Sequence, residues 1–453
     1  MAKQGAMQKF MDWMQEHIMP VAGKIAEEKH ITAITKGMMA TIPLTIIGGI
    51  SLILAYPPVD ATTLEATSGI LKSFLTAWYN WAGKYAAILE LPNNVTLGLL
   101  GIYVVIAITY HLCKNYKMEP LSCMITSAMS FLIIAAPPAA VEGASGLFLN
   151  SRYLGSRGLF AAMVVAIVTV ELTRFLLDKN IKIKLPDTVP PMVTAPFEAL
   201  IPSILVLLAF MLVDQGVTAA FGVNLPQAIM NLFTPFAKAV DSVGGMMAIQ
   251  FLINFLWFFG IYGSAVPDSV TAGFFMTNIT ANAAAYAAGE PLPAIATAPF
   301  RVAFGNIGGC GSALPLAICI LLVCKSSQMK TVGKIGIIPS IFGIAEPLTF
   351  GVPLVFNPVL AVPMILGSVL NTMITFLMMQ WNVIGRIFVD VPWTTPKVLD
   401  AILCTMDFKA GILAHELVQG FRAQTAGQGS SGGSVVKKGE LFHFHIIRHS
   451  FHG

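Results

Sequence analysis

An all-α polytopic membrane protein of about ten transmembrane helices is the fold class this sequence predicts, and three observations predict it. Of its 453 residues 56% are apolar and only 11% are charged, with a mean hydropathy of +0.75; soluble domains carry roughly 25% charged residues. Ten apolar segments approach the ~20 residues needed to cross a bilayer. The third observation is the stretch 336–363, GIIPSIFGIAEPLTFGVPLVFNPVLAVP, which is apolar enough for lipid yet broken by prolines and glycines around one carboxylate, Glu346. A broken helix in a bilayer frees backbone polar groups, which is tolerable only where protein or a watery cavity receives them. An ionisable residue at such a break points to a binding site or pathway.

Residues 1–30 are polar and amphipathic and show no signal-peptide pattern, so they are expected as a cytoplasmic segment ahead of a first span that stays in place. Spans are expected around 31–55, 95–113, 119–138, 158–178, 198–222, 244–263, 268–288, 311–325, 356–380 and 398–419. Between the first two, residues 69–90 carry Trp78, Tyr79, Trp81 and Tyr85 with Lys72 and Lys84, an interfacial pattern or a weakly apolar span. Lys3, Lys9, Lys24, Lys29 and Lys36 place the N-terminus in the cytoplasm, and the lysine-free connection after the first span reads as outside. Lys114 and Lys117, then Arg174, Lys179, Lys182 and Lys184, mark further inside connections. The count closes if 69–90 does not fully cross or if one loop breaks the rule.

Residues 179–197 are basic and proline-rich and form the best internal boundary, while 224–243 read as an amphipathic interfacial helix. The expected organisation is a membrane region over 31–178, a connector with a span and amphipathic helix over 179–243, a second membrane region over 244–419, and a polar tail over 420–453. The tail runs through a Gly/Ser linker into a segment with four of the eight histidines. Imidazoles are good metal ligands, but the composition reads as a disordered end. Six cysteines without a CxxC pair read as buried free thiols, so neither metal nor cofactor is implied. No basic patch interleaved with aromatics argues for nucleic acid.

Three groups of residues could carry chemistry. In Trp257-Phe-Phe-Gly-Ile-Tyr-Gly263, Trp257 or Tyr262 could stack on a sugar face or bond a hydroxyl, or the group could be an aromatic belt. In Arg301-Val-Ala-Phe-Gly-Asn-Ile-Gly-Gly-Cys-Gly-Ser312, a glycine-rich turn around Asn306 and Gly309 suits close backbone approach to a ligand, or packing at a hairpin tip. No GK[ST] follows it, so it is not a P-loop. Glu346 could accept a hydrogen bond from a sugar hydroxyl or take its proton as the oxygen attacks phosphorus, and burial would raise its pKa toward that task. A carboxylate satisfied by backbone N–H groups at a half-helix start is the alternative. Cys324 ends an apolar run that fits a span better than a strand, so it is not read as a nucleophile.

FGIAEPLTFGVPLVFNPVLAVP, together with VPWTTP at 391–396, the GGCGS turn and WFFGIYG, resembles the lactose/cellobiose/diacetylchitobiose family of phosphotransferase-system permeases, the membrane IIC components. The family pattern is close to F-x-I-N-E-P-x-x-F-G-x-P-I-x-x-N-P, and the resemblance covers most of residues 10 to 419. It implies a homodimer in a bacterial inner membrane, with an N-terminal dimerising region and a C-terminal transport region containing two re-entrant hairpins. It further implies that a β-linked disaccharide is bound from outside and moved inward. There a phosphocysteine on a separate IIB protein, charged by IIA upstream, phosphorylates the C6 hydroxyl. By position, Glu346 matches the glutamate near that hydroxyl, Trp393 a tryptophan that stacks on sugar, and Asn357 the asparagine of the N-P pair, in packing or substrate contact.

Two positions depart from the pattern. Tyr262 stands where the family commonly has histidine, and a phenol titrating at about 10 is a poor proton relay near neutrality. Ala345 stands where the family often has asparagine. The chain offers no phosphoryl-donor site of its own, so the donor is expected to be another protein. An ion-coupled secondary sugar transporter is the main alternative. A membrane-embedded glycan hydrolase is the other, disfavoured because such enzymes use paired carboxylates.

Overall fold

The computed structural model describes residues 27–57, 69–141, 145–186, 190–259, 263–324, 326–352 and 358–429, with single positions 16, 24, 143 and 354. The chain is mostly helical and divides into two compact units, each assembled from three stretches of sequence. The first holds Met1–Gly245, Ser264–Ala298 and Arg386–Asp390; the second holds Met246–Gly263, Pro299–Gly385 and Val391–Gly453.

In the first unit the described helices are α1 (Lys29–Ala40), α2 (Ile42–Ala55), α3 (Gly69–Leu89), α4 (Leu91–Thr96), α5 (Leu100–Asn115) and α6 (Pro120–Ala135). A two-residue hairpin ladder, β1 (Ala139–Ala140) with β2 (Leu147–Phe148), follows α6. Then come α7 (Leu159–Asp178), α8 (Pro191–Phe221), α9 (Leu225–Val240), the opening of α10 (Val243–Phe258), and α11 (Ala265–Ala287).

Helix α5 is the pillar of this unit. Leu100, Val104, Val105, Ile108 and Leu112 are all fully buried, and α1, α6 and α7 pack around it. Apolar packing alone gives little helix–helix specificity in lipid, and short hydroxyl side chains supply it. Thr109 of α5 donates to Ser127 of α6 over 2.8 Å, and the hydroxyls of Thr126 and Ser203 meet at 2.7 Å between α6 and α8. At one end His30 lies between the carboxylates of Glu28 and Glu171, at 2.7 and 2.9 Å, and Arg174 donates to Glu171 over 2.7 Å.

The last parts of the first unit have no regular secondary structure, and such backbone needs other partners for its polar groups. Asn282 of α11 donates to the carbonyls of Ala294 and Ile387 and accepts from Ala294 N–H. Asp241 accepts the N–H groups of Ile295 and Ala296, and Arg386 donates to Leu292 O. Phe388 stacks on Tyr286 at 3.8 Å, and Thr45 of α2 donates to Asp390 over 2.9 Å.

The second unit contains the rest of α10, then α12 (Ala313–Val323), α13 (Ser327–Ile341), α14 (Glu346–Gly351), α15 (Pro358–Gln380), α16 (Leu399–Thr405) and α17 (Phe408–Gly429). Helix α12 packs on α13 and α17, and α15 packs on the irregular turn after Phe300.

Among the described residues five helical stretches are long and apolar enough to cross a membrane: Lys29–Ala55, Lys72–Asn115, Ser156–Asp178, Thr194–Phe221 and Val362–Gln380. A sixth is added if α9 and α10, bent by 70°, form one span. The chain is a multi-pass membrane protein. The ambiguous 69–90 region is helical and supplies the first part of the 44-residue helical stretch Lys72–Asn115. The expected 398–419 span is instead two helices. They part at Met406, which takes a left-handed conformation (φ +52), before Asp407 accepts Lys409 N–H at the head of α17.

Candidate functional site

All the described candidates fall in the second unit, and α10 supplies their footing. Its apolar face is interrupted by Gln250 and Asn254, one turn apart and both fully buried. A buried amide group left without a partner costs about 1–3 kcal/mol. Asn254 donates to Gln250 O over 2.9 Å and accepts Gly311 N–H over 2.9 Å. Gln250 donates to Asn306 Oδ1 over 2.5 Å. Two side chains of α10 thus hold both ends of the glycine-rich turn. Trp257 lies on the same face one turn further, and only 8% of it is exposed.

The turn itself starts as a π-helical step over Arg301–Gly305, whose end is closed by Asn306 N–H donating to Arg301 O over 2.7 Å. Gly309 N–H then donates to Asn306 O over 2.8 Å. Gly309 has φ +106, and a Cβ there would lie 2.7 Å from the Ala345 Cβ and 2.9 Å from Gly343 O. Only glycine satisfies both the conformation and the approach. The turn is therefore pressed against the backbone immediately before Glu346.

Glu346 is the first residue of α14, with Pro347 in the opening turn and no side chain capping the helix start. Leu348, fully buried against Gly336 of α13, anchors this short helix. The Glu346 side chain is exposed on the surface of its unit. The burial expected from its apolar neighbours in sequence is not what the fold provides, because the helix start turns the carboxylate outward while Leu348 turns in.

Trp393 sits in the turn after Val391, closed by Thr395, whose N–H and hydroxyl both reach Pro392 O at 2.8 and 2.6 Å. Its side chain is 58% exposed. Lys397 fastens the far side of this turn. Its N–H donates to Ile341 O over 2.9 Å, and its ammonium donates to Trp393 O over 3.3 Å and to Asp400 over 2.7 Å. Gly343 (φ +81) lies against both, a Cβ there falling 3.1 Å from Trp393 O and 3.3 Å from Lys397 Cε.

The turn at Gly343 is thus the meeting point. Gly309, the backbone of Trp393 and the start of α14 with Glu346 converge on it, while Asn306 and Trp257 belong to the α10 side of the glycine-rich turn. Tyr262 and Asn357 lie outside the described residues, as does 430–453, with all four tail histidines. Cys324 ends α12, half-buried. Sequence reasoning missed Gln250, Asn254, Lys397 and Asp400. The signal available for the first two was their four-residue spacing within an apolar helix, and for the second pair a Lys-x-x-Asp just beyond VPWTTP. It also missed a polar stripe on α15, where Ser368, Asn371, Thr372 and Thr375 are all buried.

The chain is similar to known proteins. A sequence model of the family described as Phosphotransferase system, EIIC matches residues 35–368. The cellobiose-specific EIIC component of Geobacillus stearothermophilus is 33% identical over 88% of each chain. The lactose-specific EIICB component of Streptococcus mutans is 28% identical over 85% of this chain and 66% of its own length. The fold is similar to the crystal structure of the transporter ChbC, the IIC component of the N,N'-diacetylchitobiose-specific phosphotransferase system. That likeness has a TM-score of 0.80 at 30% identity and covers 92% of this chain and 96% of that one.

Proposed function

The chain belongs to the EIIC family of the phosphotransferase system, and from that premise we propose that this sugar permease binds a β-linked disaccharide of the cellobiose, lactose or diacetylchitobiose type from outside and carries it inward. A phosphocysteine on a separate IIB protein then phosphorylates the sugar at its C6 hydroxyl. The observation that carries this reading is the convergence on Gly343 of an outward-facing carboxylate, an exposed tryptophan's turn and a backbone turn opened by glycines. An indole offers a face for the apolar side of a sugar ring, and a carboxylate accepts from its hydroxyls.

The chemistry follows from that arrangement. The C6 oxygen attacks phosphorus, the S–P bond of the donor breaks, an O–P bond forms, and the cysteine leaves as thiolate. The transition state is loose, so catalysis is mainly positioning and charge stabilisation. Glu346 orients the hydroxyl and takes its proton as attack proceeds. Tyr262 supplies a hydrogen-bond donor where the family commonly has histidine. Trp257, Asn306 and Asn357 complete the sugar's surroundings, Asn306 through the turn it shares with Gly309. The finer architecture we propose comprises about ten spans, two re-entrant hairpins, one of them with the 301–312 turn at its tip, and an N-terminus in the cytoplasm. The protein is a homodimer. Labelling of single cysteines from each side of the membrane, and light scattering of purified protein, check these points.

The test uses membranes containing this protein, phospho-IIB and a panel of β-disaccharides. Uptake with phosphorylation is expected, insensitive to collapse of ion gradients. Glu346→Gln should lower phosphorylation by roughly 10²-fold or more while sparing most of the binding; normal phosphorylation by that variant would sink the assigned role. Transport of unmodified sugar that fails when the ion gradient is dissipated would favour a secondary transporter instead.

A further inference from the structure

Lys397 and Asp400 form an ion pair whose side chains are only 1% and 2% exposed, in a unit where charge is scarce. A pair buried this deeply gives little net stability, since the loss of hydration offsets the attraction. Its geometry indicates another use. The ammonium has three protons to place; one goes to Asp400 Oδ2 over 2.7 Å and another to Trp393 O over 3.3 Å. The backbone N–H of the same residue donates to Ile341 O over 2.9 Å, two residues before Gly343. Asp400 is itself fixed by accepting Ala401 N–H at its other oxygen over 2.7 Å, at the head of α16. The lysine stem lies beside Gly343, 3.3 Å from where a Cβ would be. One residue therefore ties the segment carrying Trp393 to the segment that leads into Glu346, and Asp400 holds its ammonium in register.

We propose that Lys397 is a positioning residue that sets the spacing between the Trp393 turn and the Glu346 turn, and so the affinity and orientation of the bound sugar. The inference rests on the functional reading given above, in which both turns touch substrate. Bond-length precision in such placement matters, because a misplacement of about 1 Å can cost 10²-fold in rate.

The test uses full-length protein purified in detergent and the β-disaccharide that the wild type binds most tightly among cellobiose, lactose and diacetylchitobiose. Lys397→Met alone strands a buried carboxylate and is avoided. The paired change Lys397→Met with Asp400→Leu removes both charges at similar volume, and its dissociation constant should rise roughly tenfold. Asp400→Asn leaves the Lys397 ammonium facing Trp393 O with an amide oxygen still accepting from it, and should stay within about twofold of the wild type. Adding Trp393→Ala to the paired variant should cost no more than Trp393→Ala alone, a non-additivity that a general loss of stability does not produce. Gly343→Ala disturbs the same junction with the ion pair intact. It should show the same roughly tenfold loss and the same non-additivity, and it decides the matter if the paired variant does not fold. Additive losses with Trp393→Ala, equal losses in Asp400→Asn and the paired variant, or unchanged affinity throughout would overturn the proposal. If the wild type binds none of the sugars, the functional reading itself falls, and this inference with it.

Discussion

Gly309 shows how a residue without a side chain can decide a site. Its φ of +106 and its place 2.7 Å from the Ala345 Cβ exclude any other residue without a shift of one turn against the other. Gly309→Ala should cost about 1–3 kcal/mol and weaken sugar binding. Thermal melting and titration on the same preparation would show it, and a variant with wild-type melting and affinity would contradict the close approach. At this scale the sequence was half legible. Glu346 and the glycines announce themselves because each is costly in a bilayer and so needs a reason. Gln250, Asn254 and Lys397 do not, because their meaning lies in partners 56 or 57 residues off in α10's case, and in a carbonyl of the adjacent turn in the lysine's. The outward aim of Glu346 was hidden as well, since it depends on which side of a six-residue helix Leu348 buries.

Among the elements, hydropathy located apolar length but not its interruptions. The expected 31–55 span matches one candidate crossing, Lys29–Ala55, with a turn at Thr41, whose hydroxyl donates to Met38 O, and Pro43 just after it. The 398–419 segment breaks at Met406, a residue type that gives no warning of a left-handed backbone. A window average cannot register a single-residue change of direction. Asp407 makes that break tolerable by accepting Lys409 N–H from one oxygen and Gly385 N–H from the other, both at 2.8 Å. Asp407→Ala should lower stability by about 1–2 kcal/mol, and Asp407→Asn by less, as read from melting in detergent. Equal melting of all three proteins would show that the cap carries no weight. Helix α11 illustrates the converse. Its length reads as a span, and its buried Asn278 and Asn282 also hold irregular chain by donating to the carbonyls of Ala296 and Ala294.

For the whole molecule, the class and the family were legible from composition and from one motif block, because a bilayer admits few solutions and a substrate site in it fewer still. What no local reading could supply is the way the chain alternates between units, each built from three separate stretches. The first unit receives its last piece, Arg386–Asp390, long after the rest, and Thr45 bonds to a residue 345 positions downstream. At a synthesis rate of 5–20 residues per second, α2 waits roughly 17–70 s on the ribosome before that partner exists. Chains arrested after Gly385 should therefore leave the 290–297 segment open to protease, and release past Asp390 should close it; equal resistance in both would mean that the late segment adds nothing. Assembly of this unit is thus a matter of timing, in which α2 gains its Asp390 partner only after 345 further residues have been made.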